Sequence, residues 1–476
     1  MSAKSINFGT DGWRAVIAEE FTFENIDVVA QATADLWKRK RPKGVTKKVV
    51  IGYDRRFLAD QFAKRVAEVF AGNHFEVILA SDAVPTPSVS FAVQAEKAIG
   101  GIVLTASHNP GRFCGYKLKG HFGGSVGSHT SKEVERLLEA NPIRILELKS
   151  AKIKGLIKFK NLHLAHFKAI RKLIDFNLVA KSGLRFAHDA LFGVGAGAFE
   201  KILAGTSCKV TTLNGEHDPF FGGIHPEPIV HNYGPSSSYL KKNPHDICLV
   251  TDGDADRVGG MDGKGNALTT HQIICLLLYH YSVNRQQKGR VIKALTTTTM
   301  VDRMCESYGL ELVETGVGFK YVCDEMRKGD VLLGFEESGG IGFSGHIPER
   351  DGILAGLALL ELLATERKSI NRLITKLEKL FGKFCYDRLD MHFPLNKRKL
   401  LMQYCISNPP TSLAGSKLVD IKSFDGVKYV AEDGSWLMIR GSGTEPILRV
   451  YAESKSMKKA RELISIGVKF TKIVYF

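Results

Sequence analysis

The sequence predicts an α/β protein built from several domains, and three observations support that fold class. The chain has 476 residues, more than a single hydrophobic core normally organises. Short apolar segments alternate with longer amphipathic segments along most of the chain, which is typical of strands and helices in α/β layers. After residue 382 the strands become shorter and precede a single helix. This change predicts a smaller α+β unit at the end of the chain.

Hydrophobic periodicity places the individual elements. Within residues 23–40, Ile26, Val29 and Leu36 recur at helical spacing, whereas residues 49–52 form a short apolar run typical of a strand. We expect further helices over residues 61–71, 88–97, 162–174, 271–283, 299–308, 352–365 and 458–470. We expect further strands over residues 76–79, 99–104, 184–187, 247–250, 331–334, 429–431, 436–440 and 448–452.

Composition limits the classes of function. The chain is 44% hydrophobic and 24% charged. It begins without the apolar core of a secretory signal. Its longest apolar stretches, residues 273–279 and 353–360, are far shorter than the roughly 20 residues of a membrane helix. The eight cysteines include no CxxC pair, which favours reduced thiols in a cytoplasmic protein. The net charge of +16 suits anionic partners. Nucleic acid is disfavoured, because the basic run at residues 38–48 has no interleaved aromatic residues.

The segment Thr105–Pro110 (TASHNP), named the serine loop, follows an apolar strand directly. It places a hydroxyl, an imidazole and a carboxamide together where a strand stops, and chemistry in α/β proteins tends to lie at such strand ends. An ordinary serine-rich turn is the competing interpretation. From these six residues alone, the turn is favoured.

The segment Asp252–Arg257 (DGDADR), named the aspartate loop, also follows a predicted strand. Its three alternating carboxylates repel one another unless a cation lies among them, and oxygen ligands of this kind suit Mg²⁺. An EF-hand is excluded because its sixth position, which requires glycine, is Arg257, and its twelfth is Gly263 rather than glutamate. The pattern favours a metal site over an ordinary acidic turn.

Two further glycine-containing loops carry polar groups. Residues 440–446 (RGSGTEP), the phosphate loop, combine a flexible backbone, two hydroxyls and a guanidinium, which can cradle a phosphate. Residues 335–340 (FEESGG), the sugar loop, offer carboxylates and a hydroxyl to hydroxyl-rich ligands such as sugars. Taken singly, the phosphate loop is a weak indication of a phosphate site. For the sugar loop, a sugar-binding role and an ordinary solvated acidic turn are equally favoured.

In this order, the four loops resemble those of the α-D-phosphohexomutase superfamily, which contains phosphoglucomutases and phosphomannomutases. Residues 8–14 (FGTDGWR) resemble its N-terminal motif, and residues 315–320 (TGVGFK) and 345–352 (GHIPERDG) match further stretches. The resemblance runs from about residue 6 to the last predicted helix. It implies four domains around a central cleft, three related α/β domains with mixed sheets and a smaller C-terminal α+β domain, with limits 1–145, 146–264, 265–380 and 381–476.

The resemblance also implies roles for individual residues. Ser107 would be a phosphoserine, and Mg²⁺ would be held by a phosphoserine oxygen with Asp252, Asp254 and Asp256. Proton transfer and phosphoryl binding would fall to His108, Lys117 and Arg14. The implied substrate-binding residues are Arg257, Gly318, Lys320, Glu336 and Ser338. The implied phosphate-binding residues are Arg440, Ser442, Gly443 and Thr444.

The expected reaction is the interconversion of glucose 1-phosphate and glucose 6-phosphate, with Mg²⁺ and glucose 1,6-bisphosphate as cofactors and a sugar phosphate as the only expected partner. A phosphomannomutase or dual-specificity enzyme is the alternative within the class, and a phosphotransferase that releases the bisphosphate is an alternative of another class. A non-catalytic binding protein is a third, disfavoured interpretation. No sequence feature predicts an oligomeric state.

Four positions depart from the usual family pattern: Cys114, Gly316, Phe335 and Gly441.

Overall fold

The computed structural model describes residues 6–9, 11–442 and 446–475, and it places them in four domains with one sheet each. The predicted fold class is confirmed: three α/β domains with mixed sheets precede a domain with an antiparallel sheet. Among the described residues, no helix combines the length and apolar character needed to cross a membrane.

Domain I contains a six-stranded sheet in the order β1-β5-β4-β2-β3-β6. Side chains of β2 alternate between its faces, so that Val49 and Ile51 pack with α1 and α2 while Val50 packs with α3. The strands are β1 Trp13–Val16, β2 Lys48–Tyr53, β3 Glu76–Ala80, β4 Gly100–Leu104, β5 Phe113–Gly120 and β6 Ile157–Lys160. The helices are α1 Phe23–Arg39, α2 Ala59–Gly72, α3 Thr86–Ala95, α4 Ser128–Arg136 and α5 Leu148–Ile153.

Domain II contains a five-stranded sheet in the order β11-β10-β9-β7-β8, in which β7, β8 and β9 are parallel and β10 and β11 antiparallel. Its strands are β7 Arg185–Asp189, β8 Lys209–Leu213, β9 Ile247–Thr251, β10 Val258–Asp262 and β11 Ala267–Leu268. Its helices are α6 His163–Ile170, α7 Phe176–Ala180, α8 Ala198–Ile202 and α9 Gly234–Lys242. Strand β9 is buried along its whole length, which fits its near-continuous apolar sequence.

Domain III contains a four-stranded sheet in the order β13-β12-β14-β15, with only β15 antiparallel to its neighbour. Its strands are β12 Arg290–Ala294, β13 Leu312–Thr315, β14 Val331–Phe335 and β15 Ile341–Phe343. Its helices are α10 Thr270–Tyr279, α11 Thr299–Tyr308, α12 Phe319–Met326, α13 Gly352–Glu366 and α14 Ile370–Phe381. Helix α13 is apolar on all sides and buried from Gly352 to Ala364, as expected for a helix between two layers.

Domain IV contains a six-stranded antiparallel sheet in the order β16-β21-β20-β19-β18-β17. Its strands are β16 Cys385–His392, β17 Ser412–Leu413, β18 Ser416–Lys422, β19 Val427–Ala431, β20 Trp436–Gly441 and β21 Ile447–Ser454. Its helices are α15 Arg398–Ser407 and α16 Met457–Tyr475. Strands β16 and β18 were not predicted, because both are largely exposed and lack the apolar runs used to recognise strands.

The apolar cores show how the domains are joined. One continuous core runs from the helices of domain II through α10 and α13 to the sheet of domain III, whereas domains I and IV have cores of their own. Strand β6 belongs to the sheet of domain I although it lies beyond residue 145, where the first domain was expected to end. The four domain limits stay a prediction.

Candidate active site

The serine loop is held in place by a buried arginine from the end of the neighbouring strand β2. The Arg56 guanidinium donates to the carbonyl oxygens of Ser107 at 2.5 Å and Asn109 at 2.8 Å. It pairs with Asp54 at 2.9 Å, and Asp54 accepts a hydrogen bond of 2.5 Å from the Thr105 hydroxyl. Ser107 itself has φ of 51°, a left-handed conformation that surrounding contacts must maintain. The loop is therefore fixed in one geometry.

The aspartate loop lies directly against the serine loop. All three of its carboxylates are buried, and the Ser107 hydroxyl donates a 2.8 Å hydrogen bond to Asp252 Oδ2. The approach depends on Gly253, because a Cβ at that position would lie 2.6 Å from the Ser107 carbonyl oxygen. The two loops that the sequence singled out separately thus form one site between domains I and II.

Lys117 on strand β5 neutralises part of this negative charge. Its ammonium lies 2.8 Å from Asp254 and 3.4 Å from Asp256, and it also contacts Asp11 of the N-terminal motif at 2.9 Å. Burial opposes the charged form, but the three carboxylates outweigh it and raise the pKa of Lys117. Lys117 is therefore a buried ammonium that joins domain I to the aspartate loop.

The three aspartates have different electrostatic environments. Burial raises the pKa of Asp252 well above its usual value, and the charges of Asp254 and Asp256 raise it further. Burial also opposes ionisation of Asp254, yet the Lys117 ammonium and a 2.6 Å hydrogen bond from Thr86 lower the pKa of Asp254. Burial and mutual repulsion therefore oppose full ionisation of the loop, and a cation among the carboxylates would favour the ionised form.

The donor set fits a hard divalent cation. One carboxylate oxygen from each aspartate lies within 4.8 Å of the others. Among the described residues, Asp254 Oδ1 and Asp256 Oδ1 have no hydrogen-bond partner although both are buried. Buried carboxylate oxygens are costly without a partner, and Mg²⁺ prefers ligands of this type. The residues present can therefore hold Mg²⁺ beside Ser107.

His108 and Arg14 are partly buried residues in and beside the serine loop. Arg14 donates to Asn109 Oδ1 at 2.8 Å and lies 3.6 Å from Asp11. His108 Nδ1 is buried and has no hydrogen-bond partner within the described part of the chain. Burial lowers the pKa of His108 well below its usual value, and the charges of Arg257 and Arg14 lower it further. The imidazole is thus held in its neutral form.

The sugar loop reaches the same site from domain III. It pairs with the strand that follows the aspartate loop, because the Val258 amide donates to the Gly339 carbonyl at 3.0 Å. Within the loop, the Ser338 hydroxyl donates to Glu336 Oε1 at 2.7 Å. Arg257, the last residue of the aspartate loop, forms an isolated β-bridge with Gly340 of the sugar loop, and its guanidinium lies 3.4 Å from Glu227. Glu336, Ser338 and Arg257 are therefore brought together.

Arg350, from the stretch 345–352, connects three of the predicted motifs. Its guanidinium contacts Asp256 at 2.7 Å, Asp11 at 2.8 Å and Glu336 at 3.1 Å, and only 3% of its side chain is exposed. It thereby joins the aspartate loop, the N-terminal motif and the sugar loop. The four acidic partners around it, which include Glu349, raise the pKa of Arg350 against the effect of burial.

The phosphate loop lies where domains III and IV meet. Arg440 pairs with Asp425 at 3.0 Å and donates to the Val317 carbonyl at 3.4 Å. Lys320 follows Gly318 at the start of α12 and donates to the Ser128 hydroxyl of domain I at 2.8 Å. Burial lowers the pKa of Lys320, and the charge of Arg440 lowers it further. Two neighbouring cations of this kind favour an anion between them.

The remaining predicted residues of the phosphate loop are only partly described. Ser442 is buried, its amide donates to the Ile447 carbonyl at 2.8 Å, and Arg398 donates to its carbonyl. Gly443 and Thr444 lie outside the described residues, so their predicted phosphate-binding role stays a prediction.

Four family models match successive parts of the chain. They are the phosphoglucomutase/phosphomannomutase α/β/α domains I, II and III, over residues 5–143, 164–265 and 269–381, and the C-terminal domain, over residues 407–465. The chain belongs to the phosphoglucomutase/phosphomannomutase family. The predicted resemblance to the α-D-phosphohexomutase superfamily is therefore confirmed, and the chain is a phosphohexomutase, an isomerase that transfers a phosphoryl group within a sugar phosphate.

Individual members of the family match over nearly their full length. A phosphoglucosamine/phosphogalactosamine mutase from Sulfurisphaera tokodaii is 28% identical, over 96% of this chain and 97% of the relative. A phosphoglucomutase/phosphomannomutase from Thermococcus kodakarensis is 28% identical, over 97% of each chain. The crystal structure of a proposed phosphomannomutase from Thermus thermophilus is 35% identical, with a TM-score of 0.85 over 98% of this chain and 99% of that one. These names include different sugars, so the relationship defines the reaction class rather than the sugar.

Several residues in this phosphohexomutase site received no role from the sequence. Asp11 and Arg350 lie inside stretches that resemble the family, but their pairing joins residues 339 positions apart. Asp54 and Arg56 directly follow strand β2, and a charged pair at the end of a buried strand is a signal that could have identified them. Thr86 follows a proline at the start of α3 and gives no such signal.

The departures from the usual pattern have structural explanations at three positions. Phe335 is the last residue of β14 and lies in the core shared by domains II and III, which leaves Glu336 to begin the polar part of the sugar loop. Cys114 is buried in β5. At Gly441, a Cβ would lie 2.7 Å from Cδ of Arg398, so the glycine makes room for that side chain. Gly316 lies beside Asp425 and has no evident structural requirement.

Proposed function

We propose that this phosphohexomutase interconverts glucose 1-phosphate and glucose 6-phosphate through a phosphorylated Ser107 and a glucose 1,6-bisphosphate intermediate. The observation that carries the proposal is the 2.8 Å hydrogen bond between the Ser107 hydroxyl and Asp252, beside two further buried carboxylates. This arrangement suits phosphoryl transfer, where positioning and charge neutralisation supply most of the catalysis. It does not suit acyl transfer, because the Ser107 hydroxyl donates to a carboxylate of the aspartate loop and not to an imidazole.

The first transfer moves the phosphoryl group from Ser107 to the free hydroxyl of the sugar phosphate. The bond between Ser107 Oγ and phosphorus breaks as a bond forms from the sugar oxygen to phosphorus. His108, held neutral by its surroundings, accepts the proton of the sugar hydroxyl, and the Lys117 ammonium returns a proton to Ser107 Oγ. Arg14 binds the phosphoryl oxygens. The reverse transfer from the other phosphate of the bisphosphate restores the phosphoserine and completes the isomerisation.

A divalent cation completes the charge balance. We propose that Asp252, Asp254, Asp256 and one phosphoserine oxygen hold Mg²⁺, which neutralises charge on the transferred phosphoryl group. The choice of Mg²⁺ follows from the all-oxygen donor set of the aspartate loop and the two buried carboxylate oxygens described above.

The rest of the cleft must accept the bisphosphate in two orientations. We assign the sugar hydroxyls to Glu336 and Ser338, with Arg257 beside them. We assign the distal phosphate to Lys320, Arg440 and the main chain near Gly318, and to Ser442, Gly443 and Thr444 of the phosphate loop. The support is the mutual proximity of the Lys320 and Arg440 charges and the direct pairing of the sugar loop with the aspartate loop.

A coupled assay tests this reaction. Glucose 1-phosphate, Mg²⁺ and a catalytic amount of glucose 1,6-bisphosphate are supplied, and glucose 6-phosphate is measured with the wild type and Ser107→Ala. We expect turnover that requires Mg²⁺ and is stimulated by the bisphosphate, and none above background for the variant. Turnover by Ser107→Ala equal to that of the wild type would refute the assignment.

The same assay decides between sugars. Mannose 1-phosphate is the second candidate, because the 35% identical structure is that of a proposed phosphomannomutase and the contacts assigned to Glu336 and Ser338 do not address the C2 substituent. Glucosamine 1-phosphate is included because relatives carry amino-sugar names. We expect the highest kcat/KM with glucose 1-phosphate; a higher value with either of the others would reassign the substrate. Net accumulation of the bisphosphate would instead indicate the phosphotransferase alternative.

A further inference from the structure

Behind the active site, where domains I, II and III meet, three side chains form a cluster of metal-ligating groups that the mutase reaction does not use. Nε2 of His166 lies 2.7 Å from Asp351 Oδ2, and Nε2 of His346 lies 2.9 Å from the same oxygen. His166 comes from α6, His346 from the segment after β15, and Asp351 precedes α13. We propose that this cluster is a second metal site, specific for a borderline divalent cation such as Zn²⁺.

The donor atoms converge on one point. The two imidazole nitrogens and the carboxylate oxygen lie within 4.8 Å of one another. Tetrahedral Zn²⁺, at about 2.0–2.1 Å from each ligand, separates its ligands by about 3.3 Å. Insertion of the ion therefore requires each imidazole to move from Asp351 by about half an ångström, within the range of a small side-chain rotation. Two nitrogens and one oxygen are a typical donor set of a Zn²⁺ site with an open position.

Groups outside the cluster fix the orientation of the ligands. Nδ1 of His166 lies 2.9 Å from the Ser88 hydroxyl, which can accept its proton and leave Nε2 free to bind the ion. Asp351 Oδ1 accepts the amides of Ile353 and Leu354 at the start of α13, so that only Oδ2 faces the imidazoles. Hydrogen bonds of this kind to groups outside the site commonly orient the metal-binding side chains of proteins.

An ion has a route to the cluster. The side chains of His166 and Asp351 are fully buried, and that of His346 is 2% exposed where it borders a surface cleft of about 410 Å³ lined also by Phe91 of α3 and Lys172 after α6. The two imidazole rings are stacked with centroids 5.6 Å apart, and Phe91 packs against both. The cleft can supply the ion and the water that would complete its coordination.

The nitrogen donors distinguish this site from the aspartate loop. Mg²⁺ prefers an all-oxygen site, while imidazole ligands select Zn²⁺, Co²⁺ and related ions. Because the ligands come from domains II and III and their support from Ser88 of domain I, the bound ion would stabilise the junction behind the catalytic groups. The metal site does not depend on the identity of the sugar or on the role of Ser107.

The test is titration of the metal-stripped, full-length protein with Co²⁺ and Zn²⁺ in excess Mg²⁺, which keeps the aspartate loop saturated. We expect one Co²⁺ per chain with the visible absorption of a four-coordinate site, displacement by Zn²⁺, and a rise in Tm with Zn²⁺. His166→Gln and His346→Gln should each weaken Co²⁺ binding at least tenfold, because Gln can preserve a hydrogen bond to Asp351 but supplies no imidazole. His163→Gln, on the same helix, is the matched control and should bind as the wild type does.

Absence of stoichiometric Co²⁺ binding by the wild type, or equal binding by all three variants, would overturn the proposal. If either ligand variant does not fold, X-ray absorption of the wild-type Co²⁺ complex decides: scattering from two imidazoles supports the site, and an oxygen-only shell refutes it. Neither readout involves mutase activity, so failure of this site and failure of the proposed reaction are distinguishable.

Discussion

The junction of domains I, II and III and the junction of domains III and IV use charged residues in different ways. In the first, Lys117 and Arg350 are at most 3% exposed and each contacts carboxylates from at least two domains. In the second, Arg440 of domain IV donates to the Val317 carbonyl of domain III and pairs with Asp425 of its own domain, whose side chain is 25% exposed. The groups proposed for catalysis are thus held by buried ion pairs, while the group proposed to bind the far phosphate lies on a more exposed contact.

The difference follows from the chemistry proposed for each region. Phosphoryl transfer requires groups held in place before the substrate arrives, and buried networks provide such preorganisation. Binding the far phosphate in two orientations instead requires a contact that can adjust. Domain IV has a core of its own and meets domain III through a small apolar cluster of Leu295, Trp436, Met438 and Tyr451. Loss of a group from the first junction should therefore affect kcat and folding, and loss of a group from the second should affect KM.

The largest effect is expected from Asp252→Asn, which removes a proposed Mg²⁺ ligand and the partner of the Ser107 hydroxyl. We expect kcat to fall by at least about 10²-fold, the scale of losing a preorganised electrostatic contact, and the Mg²⁺ concentration for half-maximal activity to rise. Steady-state kinetics over a Mg²⁺ titration measure both. Asp246→Asn, an exposed residue of the same domain, is the control, and similar kinetics for the two variants would contradict the assignment.

Arg350→Met tests whether the first junction is held by charge. The substitution leaves Asp11, Asp256 and Glu336 without their shared cation, and breaking a buried ion pair costs about 3–5 kcal/mol. We expect the free energy of unfolding in urea to fall by about that amount and kcat to fall with it. Arg327→Met removes an arginine with a 42% exposed side chain from the same domain. It should change the free energy of unfolding by no more than about 0.5 kcal/mol and leave kcat unchanged. A stable, fully active Arg350→Met would show that the network is dispensable.

Much of the catalytic junction was predictable because its residues cluster in short loops after apolar strands. Ser107 and the three aspartates are of this kind, and the need of three alternating carboxylates for a cation can be inferred without knowing the fold. Arg56, Thr86 and Arg350 were not assigned, because their function arises from contacts with residues far apart in the chain. The helices and strands predicted in domains I to III are present, but other strands there, such as β5, β10 and β12, were not predicted. In domain IV the exposed strands β16 and β18 gave no apolar signal.

Substitutions at the second junction should have smaller effects, mainly on binding. Arg440→Met removes a charge-assisted contact to phosphate, worth about 1.5–3 kcal/mol, so we expect KM for the sugar phosphate to rise by about 10- to 100-fold with less change in kcat. Asp425→Asn keeps the Arg440 guanidinium but removes the charge of its partner, and we expect KM to rise by only a few-fold. Asp433→Asn, paired with Lys459 elsewhere in domain IV, is the control. A fall in kcat without a change in KM would contradict the division of roles.

The last effect concerns pH and the contact of Lys428 with domain III. Burial lowers the pKa of Lys428 to about 7, with the charge of Lys293 adding to it, and its amine donates to the Leu295 carbonyl at 2.6 Å. The unfolded lysine has a pKa of about 10.4, so the unfolded chain binds more protons between about pH 7 and 10. The free energy of unfolding should therefore rise with pH in this window, by at most about 1.4 kcal/mol per pH unit.

Urea unfolding of the wild type and Lys428→Met at pH 6.5 and 9 measures this contribution as the difference between the two slopes. The variant should show the smaller increase. Lys417→Met, an exposed residue on β18, should retain the slope of the wild type. Equal slopes for the wild type and Lys428→Met would show that Lys428 does not titrate in this range.

Intact-mass measurement tests most directly the central claim, that Ser107 carries the phosphoryl group. The wild type and Ser107→Ala are incubated with glucose 1,6-bisphosphate and Mg²⁺, and their masses are recorded before and after addition of glucose 1-phosphate. We predict that the wild type gains the mass of one phosphoryl group, located on Ser107 by peptide mapping, and that Ser107→Ala gains none. A wild type that turns over the substrate without this modification, or a modified Ser107→Ala, would contradict the account.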